Sequence, residues 1–547
     1  MRTSERADQS CSRFPAGSGG VTSLARARNV AHRATATGGA YKLLITIWIL
    51  AVAVRLILID QPYVDHWSWR QSDVAAIARN FSEGGFRFAH PQIDWAGNAT
   101  GYVGTEFPIL PFVAAICYQF AGIHEWIGRS QAIIFFAVSL PFLFLLVREI
   151  FGSTAAIWAT FFFSFAPVNI FAGRSFMPDV PSLSLAIVGL YLFLRWIEDR
   201  ESVSFFLAAI TVSLSILIKV TSIVIFAPVL YLAVAAVHER RRNKERRFPK
   251  PPGRSGDRPS LNFRAHRAPL QWLALFLAIA IVPSAAWYWH AYQIAERFYP
   301  HHFFGAGGVR IESFSWYWNI ARQTATSSLT PVLCIMALIG LFVAPRSRYS
   351  RLFHWWLAAM ILFFVVVGYG NRHRWYQLPL VPIAAAFAGA ACASIGSKIA
   401  SSRIAIVTLS ILLASSFALL SYLCVRPLYE SSAAQLRDAG LELNKITAPG
   451  ALIVAADMGD PTIFYYAQRK GWHFLEKDGI YAGTPSDSQE VILDLEQLRR
   501  LGATHFVFTF NTFWWLAYYP EFAQHLAQNA TLIAATPEFR IYKLTVR

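Results

Sequence analysis

Long apolar runs recur along most of this chain and decide what it can fold into. Most are about 17 to 22 residues long, enough helix to cross a hydrocarbon layer of roughly 30 Å. A chain of 547 residues with 55% hydrophobic and 15% charged residues carries too much apolar surface for a water-soluble globule. The sequence therefore predicts a polytopic α-helical membrane protein with about eleven transmembrane helices, near 43–60, 131–147, 153–172, 180–197, 203–218, 220–237, 269–288, 327–344, 352–369, 378–396 and 403–424.

The basic residues lie in tails and loops, where they set the orientation of the chain. The net charge is +17, and lysine and arginine cluster in the N-terminal tail, in the loop 238–268 and in the segment 345–351. A positive-inside bias places all three on the cytoplasmic face, so the charge indicates membrane topology rather than nucleic-acid binding. Residues 1–42 are predicted to be a disordered cytoplasmic tail, and the first apolar run then serves as a signal anchor.

This orientation holds only if the apolar piece "PILPFVAAICYQFAG", residues 108–122, does not cross the membrane. The piece is short and contains two prolines, which favours an interfacial or re-entrant helix. The transmembrane domain is then predicted at 43–424, with its first outer loop at 61–130.

The pattern changes after Cys424. Short apolar strands at 451–456 and 504–510 alternate with amphipathic helices at 460–470 and 490–501, and Gly502 follows the second helix as a C-terminal cap. The sequence therefore predicts a small α/β domain at 425–547, on the outer face of the membrane.

The first outer loop concentrates polar side chains. Carboxylates held between membrane-embedded pieces favour general-base chemistry at the membrane surface. Asp73 also has a second interpretation: if Ser72 caps the following helix, Asp73 is only a first-turn charge stabilised by the helix dipole. The polar residues of the loop are Asp65, His66, Arg70, Gln71, Asp73, Arg79, His90, Asp94 and Glu106.

Ordered landmarks along the chain carry a family resemblance. They are the first apolar run, then "WRQSDVAAIARNF", "GTEFPILPFVAAICYQFAG", "GRSFMPDVPSLSLAIVGLYL" and "RHRWYQLPLVPIAAAFAG". In this order, over about residues 43–400, they resemble the polyprenyl-phosphate-sugar-dependent glycosyltransferases of the GT-C fold. Within that fold the chain is most similar to the protein-mannosyltransferase and lipid A aminoarabinose transferase group.

The resemblance implies an acidic catalytic residue in the first outer loop, just before a helix that carries an "AR" pair. Here Arg70 and Gln71 stand where the family often has an Asp-Glu pair, which leaves the base open between Asp73 and Asp65. Asp73 is preferred because it travels with the "WRQ" motif. Glu106 matches the acidic position of the family's "EKPP" motif, with phenylalanine in place of the lysine, and is the third catalytic candidate.

Polar residues at the outer ends of other spans complete the predicted site. The Arg–Asp pair in "GRSFMPD" is either a structural clamp or a substrate contact, and the lysine in "ILIKVTS" faces the outer leaflet, with snorkelling as the alternative. Cations in "GNRHRWYQLP" lie where the orientation rule disfavours them, so a lipid phosphate is their predicted partner. The predicted substrate-binding residues are Arg70, Gln71, Arg174, Asp179, Lys219, Arg372, His373, Arg374 and Tyr376.

The sequence gives little sign of metal or cysteine chemistry. None of the five cysteines has CxxC spacing, which argues against both a disulfide framework and a thiolate metal site. His301 and His302 make a divalent metal an alternative, but adjacent histidines do not readily bind one ion together. We therefore predict no metal site and no certain cofactor.

Together these features predict a glycosyltransferase of the cell (inner) membrane. It would move a sugar from a polyprenyl-phosphate donor to a hydroxyl or amine of a lipid, glycan or protein acceptor on the outer face, with inversion. A carboxylate would deprotonate the acceptor, and cations would neutralise the departing phosphate. The alternative is a polytopic transporter or lipid-handling protein without transferase activity, although a transporter is expected to have mid-membrane ionisable residues and symmetric halves.

Overall fold

The computed structural model describes residues 39–247, 263–304, 309–345 and 347–545, and most of them are helical. The first apolar run forms helix α1, Gly39–Leu56. Most of the predicted N-terminal tail and part of the predicted basic loop lie outside the described residues. The next helices are α2 (Ser68–Glu83), α3 (Ile109–Ala121), α4 (Glu125–Phe151), α5 (Ser153–Phe165), α6 (Pro167–Ala172), α7 (Asp179–Asp199), α8 (Ser202–Ile218), α9 (Phe226–Arg247), α10 (Phe263–Arg297), α11 (Phe314–Gln323), α12 (Pro331–Leu341), α13 (Leu352–Val367), α14 (Leu380–Lys398) and α15 (Arg403–Val425).

Eight helices in the described part of the chain are long and apolar enough to cross a membrane, in the regions of α1, α4, α7, α9, α10, α13, α14 and α15. The count rises to nine if α11 and α12, which meet at a bend of 109°, form one broken span. Two other predicted spans fall on α5 and α8, which have only 13 and 17 residues. The predicted count of eleven therefore stays a prediction.

The membrane helices pack around one large apolar core. Helix α14 packs against α5 and α12, and α7 packs against α4 and α8. Close approach of α14 to α5 requires a glycine, because a Cβ on Gly389 would lie 2.2 Å from the carbonyl oxygen of Ala155. The piece predicted not to cross forms α3, which is short and lies against α2.

Helix α2 begins five residues earlier than the sequence suggests. Its N-cap is Trp67 rather than Ser72, so the capping prediction is wrong and Asp73 is not a first-turn charge. Asp65 instead holds the start of the helix, because its carboxylate accepts a hydrogen bond from the Trp67 amide at 3.1 Å and its carbonyl accepts one from the Ser68 amide at 2.9 Å. The start of α2 thus depends on Asp65, a polar residue that precedes the helix.

A small mixed sheet follows α15. The predicted strands at 451–456 and 504–510 are confirmed as β1 and β5, which are parallel, and the sheet order is β2-β1-β5-β7-β6. Its strands are β1 (Ile453–Ala456), β2 (Gly471–His473), β5 (His505–Thr509), β6 (Ala530–Ala535) and β7 (Phe539–Leu544), with β3 (Glu476–Lys477) and β4 (Ile480–Tyr481) pairing separately. Its helices are α16 (Ala434–Ile446), α17 (Thr462–Ala467), α18 (Ser488–Arg500), α19 (Trp515–Tyr518) and α20 (Pro520–Asn529).

The two faces of this sheet are buried in different cores, as the alternation of side chains along a strand requires. Ile453 and Ala455 of β1 belong to a core shared with the first outer loop, whereas Val454 and Ala456 face a core that includes α18 and α20. The predicted helix at 490–501 is α18, and Gly502 beyond it has a φ of +103°, as expected of a capping glycine.

The first outer loop is hydrogen-bonded to the sheet. The Gly471 amide of β2 donates to the Asp94 carbonyl at 3.0 Å, and the Gly97 amide donates to the Gly471 carbonyl at 2.7 Å. Ser68 of α2 donates its hydroxyl proton to Asp460, at 2.7 Å. Because these contacts are direct, the loop and the sheet lie on the same side of the membrane.

The shared location gives the first prediction. Alkaline phosphatase fused to the C-terminus should be active in a bacterial host, since the charge distribution predicts that this side of the protein lies outside the cytoplasm. A green fluorescent protein at the same terminus should stay dark. Bright fluorescence with an inactive phosphatase would show that the C-terminus is cytoplasmic and would contradict the predicted orientation.

Candidate functional site

The faces of α2 decide which polar side chains come together. Arg70 and Asp73 are three residues apart and therefore share one face of the helix. Both line a cavity walled by charged and aromatic side chains, which we call the chamber. Gln71 faces another way and donates a hydrogen bond to Asp65 at 2.7 Å.

The chamber has a volume of about 500 Å³ and is walled by residues from distant parts of the chain. It lies between α2, the end of the first outer loop, the turn after α13 and the loops of the C-terminal sheet. Seven of the twelve predicted site residues line it: Arg70, Asp73, Glu106, Lys219, Arg372, His373 and Tyr376.

Asp73 is the acidic group of the chamber best suited to accept a proton. Its side chain is buried, and within the described part of the chain it accepts one hydrogen bond, at Oδ1 from Trp95 Nε1 at 3.0 Å. Burial raises the pKa of Asp73 to about 6, despite the opposing effects of Trp95 and Arg70. A carboxylate with a pKa near neutrality and one uncommitted oxygen suits a general base.

Glu106 is committed to ion pairs. Its two carboxylate oxygens accept hydrogen bonds from Arg70 at 2.7 and 2.8 Å, and Lys219 lies 3.9 Å away. Although burial opposes ionisation, these two cations hold the pKa of Glu106 down at about 2. Glu106 therefore stays a carboxylate and positions Arg70.

Lys219 and Asp179 form a second pair, with 2.9 Å between Nζ and Oδ1. Both side chains are buried, so Lys219 does not snorkel into the outer leaflet as the alternative interpretation held. The predicted pair of Arg174 with Asp179 does not form. The two residues lie on either side of the turn into α7, where their side chains reach different partners.

Arg372 differs from the other two cations of the chamber. Its guanidinium lies 4.0 Å above the ring of Tyr369 and meets no carboxylate in the part of the chain that the structure describes. Its neighbour His373 stacks on Trp375, with 4.4 Å between ring centroids. Burial, together with Arg372, lowers the pKa of His373 to about 3, so this imidazole is neutral.

Asp65 lies outside the chamber, at the centre of a fully buried cluster. Its Oδ2 is 3.3 Å from Arg129 and 3.1 Å from Arg174, and its Oδ1 accepts the hydrogen bond from Gln71. With four donors on one carboxylate, Asp65 has no free oxygen facing a cavity. The structure thus separates the two candidate bases, and it places Arg174 and Gln71 with the structural one.

Arg374 is also absent from the chamber walls. It is half-buried, and its charge acts on Cys424 and His66 instead. The predicted joint phosphate site of Arg372 and Arg374 therefore has only Arg372 on the chamber.

The C-terminal sheet supplies chamber residues that the sequence analysis missed. His473 of β2 lines the chamber, and its Nδ1 lies 2.8 and 2.9 Å from the two carboxylate oxygens of Asp457. Its ring contacts that of Trp95, the hydrogen-bond donor to Asp73. The only sequence signal was the polar "ADMGD" directly after a buried strand, the usual place for functional loops in parallel sheets.

An apolar groove of about 470 Å³ adjoins the chamber. It runs between α9, α10 and α13 and is lined mainly by aliphatic side chains, among them Ile223, Leu362 and Val366. The groove and the chamber share Glu106, Lys219, Phe304 and Tyr376. A polar head site and an apolar channel thus meet at these four residues.

The histidines considered for a metal are separated in the structure. His302 lines the chamber, whereas His301 Nδ1 lies 3.0 Å from the Ala295 carbonyl. Among the described residues, no group of three or more His, Cys, Asp or Glu side chains is arranged to hold a metal ion.

Comparisons with known proteins agree with the sequence resemblance. A family profile for dolichyl-phosphate-mannose-protein mannosyltransferases matches residues 105–250. No curated protein is detectably similar in sequence to the chain.

Several solved structures are similar over most of the chain, among them the following two. ArnT from Cupriavidus metallidurans bound to undecaprenyl phosphate is 15% identical, with a TM-score of 0.60 over 91% of this chain and 97% of ArnT. The oligosaccharyltransferase AglB from Archaeoglobus fulgidus, in complex with an inhibitory peptide and a dolichol-phosphate, is 15% identical, with a TM-score of 0.51 over 91% of this chain and 74% of AglB. The chain has the GT-C fold that these glycosyltransferases share.

The two candidate bases differ in what they do for stability, which gives the second prediction. Asp65→Asn leaves Arg129 and Arg174 buried without a counter-charge and should destabilise the protein by about 3 to 5 kcal/mol. Asp73→Asn is the matched control, because an amide oxygen still accepts the hydrogen bond from Trp95. The measurement is the melting temperature of each purified variant in detergent. Equal melting temperatures for the two variants would contradict the assignment of Asp65 as the structural carboxylate.

Proposed function

We propose that this protein is a membrane glycosyltransferase that uses a polyprenyl-phosphate-linked sugar as its donor. It transfers the sugar to a hydroxyl or amine of an acceptor on the extracytoplasmic face of the membrane. Since one fold hosts many chemistries, the geometry and charges of the site, rather than the fold, support this function.

The junction of the chamber with the apolar groove carries the proposal. A polyprenyl-phosphate sugar has a long apolar chain, one phosphate and a polar sugar. The groove offers aliphatic walls for the chain, and the chamber offers charged and hydrogen-bonding groups for the head. Glu106, Lys219 and Tyr376 stand where the two cavities meet, so the lipid chain would enter the chamber beside these residues.

The two structural neighbours support this class of donor. ArnT is bound to undecaprenyl phosphate and AglB is in complex with a dolichol-phosphate, both long polyprenyl chains with a terminal phosphate. The same ligand class suits the groove and chamber of this protein.

The charges of the chamber favour a single phosphate. Arg70 and Lys219 are already balanced by Glu106 and Asp179, so these pairs add little net charge. Arg372 pairs with no carboxylate among the described residues, and its hydrogen bond to the Tyr369 carbonyl is long, at 3.5 Å, so its guanidinium can bind a phosphate through two parallel hydrogen bonds.

The reaction follows from these positions. Asp73 takes the proton from the acceptor hydroxyl or amine, and the freed electron pair forms a bond to the anomeric carbon of the donor sugar. The bond from that carbon to the phosphate oxygen breaks on the opposite side, and the phosphate leaves with the bonding electrons. Arg372 neutralises the departing phosphate, with Lys219 nearby. Direct displacement of this kind inverts the configuration of the anomeric carbon.

Reconstitution tests the proposal. The purified protein in liposomes is supplied with a panel of radiolabelled polyprenyl-phosphate sugars, and transfer or hydrolysis of the label is measured. Binding of undecaprenyl phosphate without turnover of any donor would favour the lipid-handling alternative over a transferase.

The third prediction concerns the base. Asp73→Asn should lower the turnover rate by about two to four powers of ten, the usual loss when a general base is removed. Because the active form is the carboxylate and the pKa of Asp73 is about 6, kcat/KM should fall tenfold per pH unit below that value. An unchanged rate in Asp73→Asn would refute the assignment.

The fourth prediction concerns the phosphate. Arg372→Ala should weaken binding of undecaprenyl phosphate by about 1.5 to 3 kcal/mol, the range for a hydrogen bond to a charged group. Arg374→Ala is the matched control, since it removes the same charge two residues away from outside the chamber. Titration of each variant in nanodiscs provides the comparison. A larger loss of affinity in Arg374→Ala than in Arg372→Ala would contradict the assignment of the phosphate to Arg372.

A further inference from the structure

A second polar cavity borders the chamber, at a different wall from the apolar groove. This side cavity has a volume of about 410 Å³, within the range of small-molecule sites. It shares five lining residues with the chamber and none with the apolar groove; the shared residues are Trp69, Arg372, His373, Met458 and Gly459. The chamber therefore has two neighbours of opposite chemical character.

The side cavity is built from both halves of the chain. His66 and Ser68 lie at the start of α2, Ser432 and Gln435 lie at the start of α16, and Asn511 follows β5. Its remaining wall is the loop after β1, from Asp457 to Asp460. The cavity thus exists only when the C-terminal sheet is docked on the first outer loop.

Some polar side chains of this cavity are held by hydrogen bonds within the protein, and others are not. Asp460 is fixed by Ser68 and Thr462, and Asp457 is fixed by His473. By contrast, the side chains of Ser432, Gln435 and Asn511 form no hydrogen bond within the described part of the chain. A hydroxyl and two amides therefore remain free to donate and accept hydrogen bonds with a ligand.

Aromatic surface adds to this chemistry. Trp69 stands at the wall between the side cavity and the chamber. Phe510, next to Asn511, is 66% exposed, and Trp514 and Tyr518 in the same segment are also exposed, outside the cavity lining itself. Exposed aromatic groups in one segment mark an interaction surface, and the C–H faces of sugar rings pack well on such rings. A lipid chain, in contrast, finds no continuous apolar wall in this cavity.

We infer that the side cavity is the acceptor site and that it binds a carbohydrate. This inference rests on the proposed function. The acceptor sugar lies among Ser432, Gln435 and Asn511, and one of its hydroxyls reaches the chamber past Trp69, where Asp73 removes its proton. The donor lipid thus enters by the apolar groove, and the acceptor sugar enters by the polar side cavity.

The test fills the side cavity without touching the chamber. Gln435→Trp places a bulky ring inside it, and Lys445→Trp is the matched control, because Lys445 lies on the same helix and its side chain is 72% exposed. Ser432→Phe is the second filling variant in case the first folds poorly. Each protein is given the radiolabelled donor panel with water-soluble aryl glycosides of glucose, galactose, mannose and N-acetylglucosamine, and separately with extracted membrane lipids.

The wild type and Lys445→Trp should transfer label to at least one glycoside. The filling variants should do so at least tenfold more slowly, with an affinity for undecaprenyl phosphate within twofold of the wild type. Transfer only to the lipid fraction, donor hydrolysis without transfer to any glycoside, or full transfer by both filling variants would overturn the inference and leave the proposed function standing. A wild type that neither transfers nor hydrolyses any donor would overturn the proposed function itself.

Discussion

One buried carboxylate, Asp65, holds together the elements on which the site depends. It lies between Arg129 of α4 and Arg174 of the turn before α7, and it also accepts hydrogen bonds from the start of α2. Two guanidinium groups around one carboxylate are costly to bury, and further contacts offset part of that cost. Arg129 also donates to the Ile59 carbonyl, and Arg174 lies 4.4 Å above the ring of Tyr429, although the Nε of each arginine has no hydrogen-bond partner among the described residues. The cluster fixes the rotation of α2, and with it the direction in which Arg70 and Asp73 point.

The sequence predicted features that follow from local pattern. The apolar runs lie on helices, the short non-crossing piece is a short helix, and two strands and a capped helix of the C-terminal sheet are where the pattern placed them. Within the site, Asp73 was preferred over Asp65 because it travels with the "WRQ" motif, and of the two only Asp73 lines the chamber. Each of these depends on residues a few positions apart, which a sequence displays directly.

The errors arose where partners are distant in the chain. Arg174 and Asp179 are five residues apart and of opposite charge, yet their partners are Asp65 and Lys219. Serine is a residue type that often caps helices, but at Ser72 it does not, because the hydrogen bonds of Asp65 stabilise an earlier start of the helix. His473 belongs to a strand of three residues with no pattern of its own, and only the docking of the sheet brings it to the chamber. Long-range pairing of this kind leaves no periodic trace in the sequence.

The hydrogen bonds between the first outer loop and β2 also have a consequence for biosynthesis. Gly97 and Gly471 are separated by about 370 residues, and the ring of Trp472 occupies the space beside Gly97 that a larger side chain would need. At ribosomal rates of about 5 to 20 residues per second, roughly 20 to 75 seconds pass between synthesis of the first outer loop and synthesis of β2, its hydrogen-bonding partner. During that interval the ion pairs of Asp65 with Arg129 and Arg174, all three within the first third of the chain, can already form. The order of synthesis thus favours a scaffold that assembles early and a chamber that closes only when the last strands arrive.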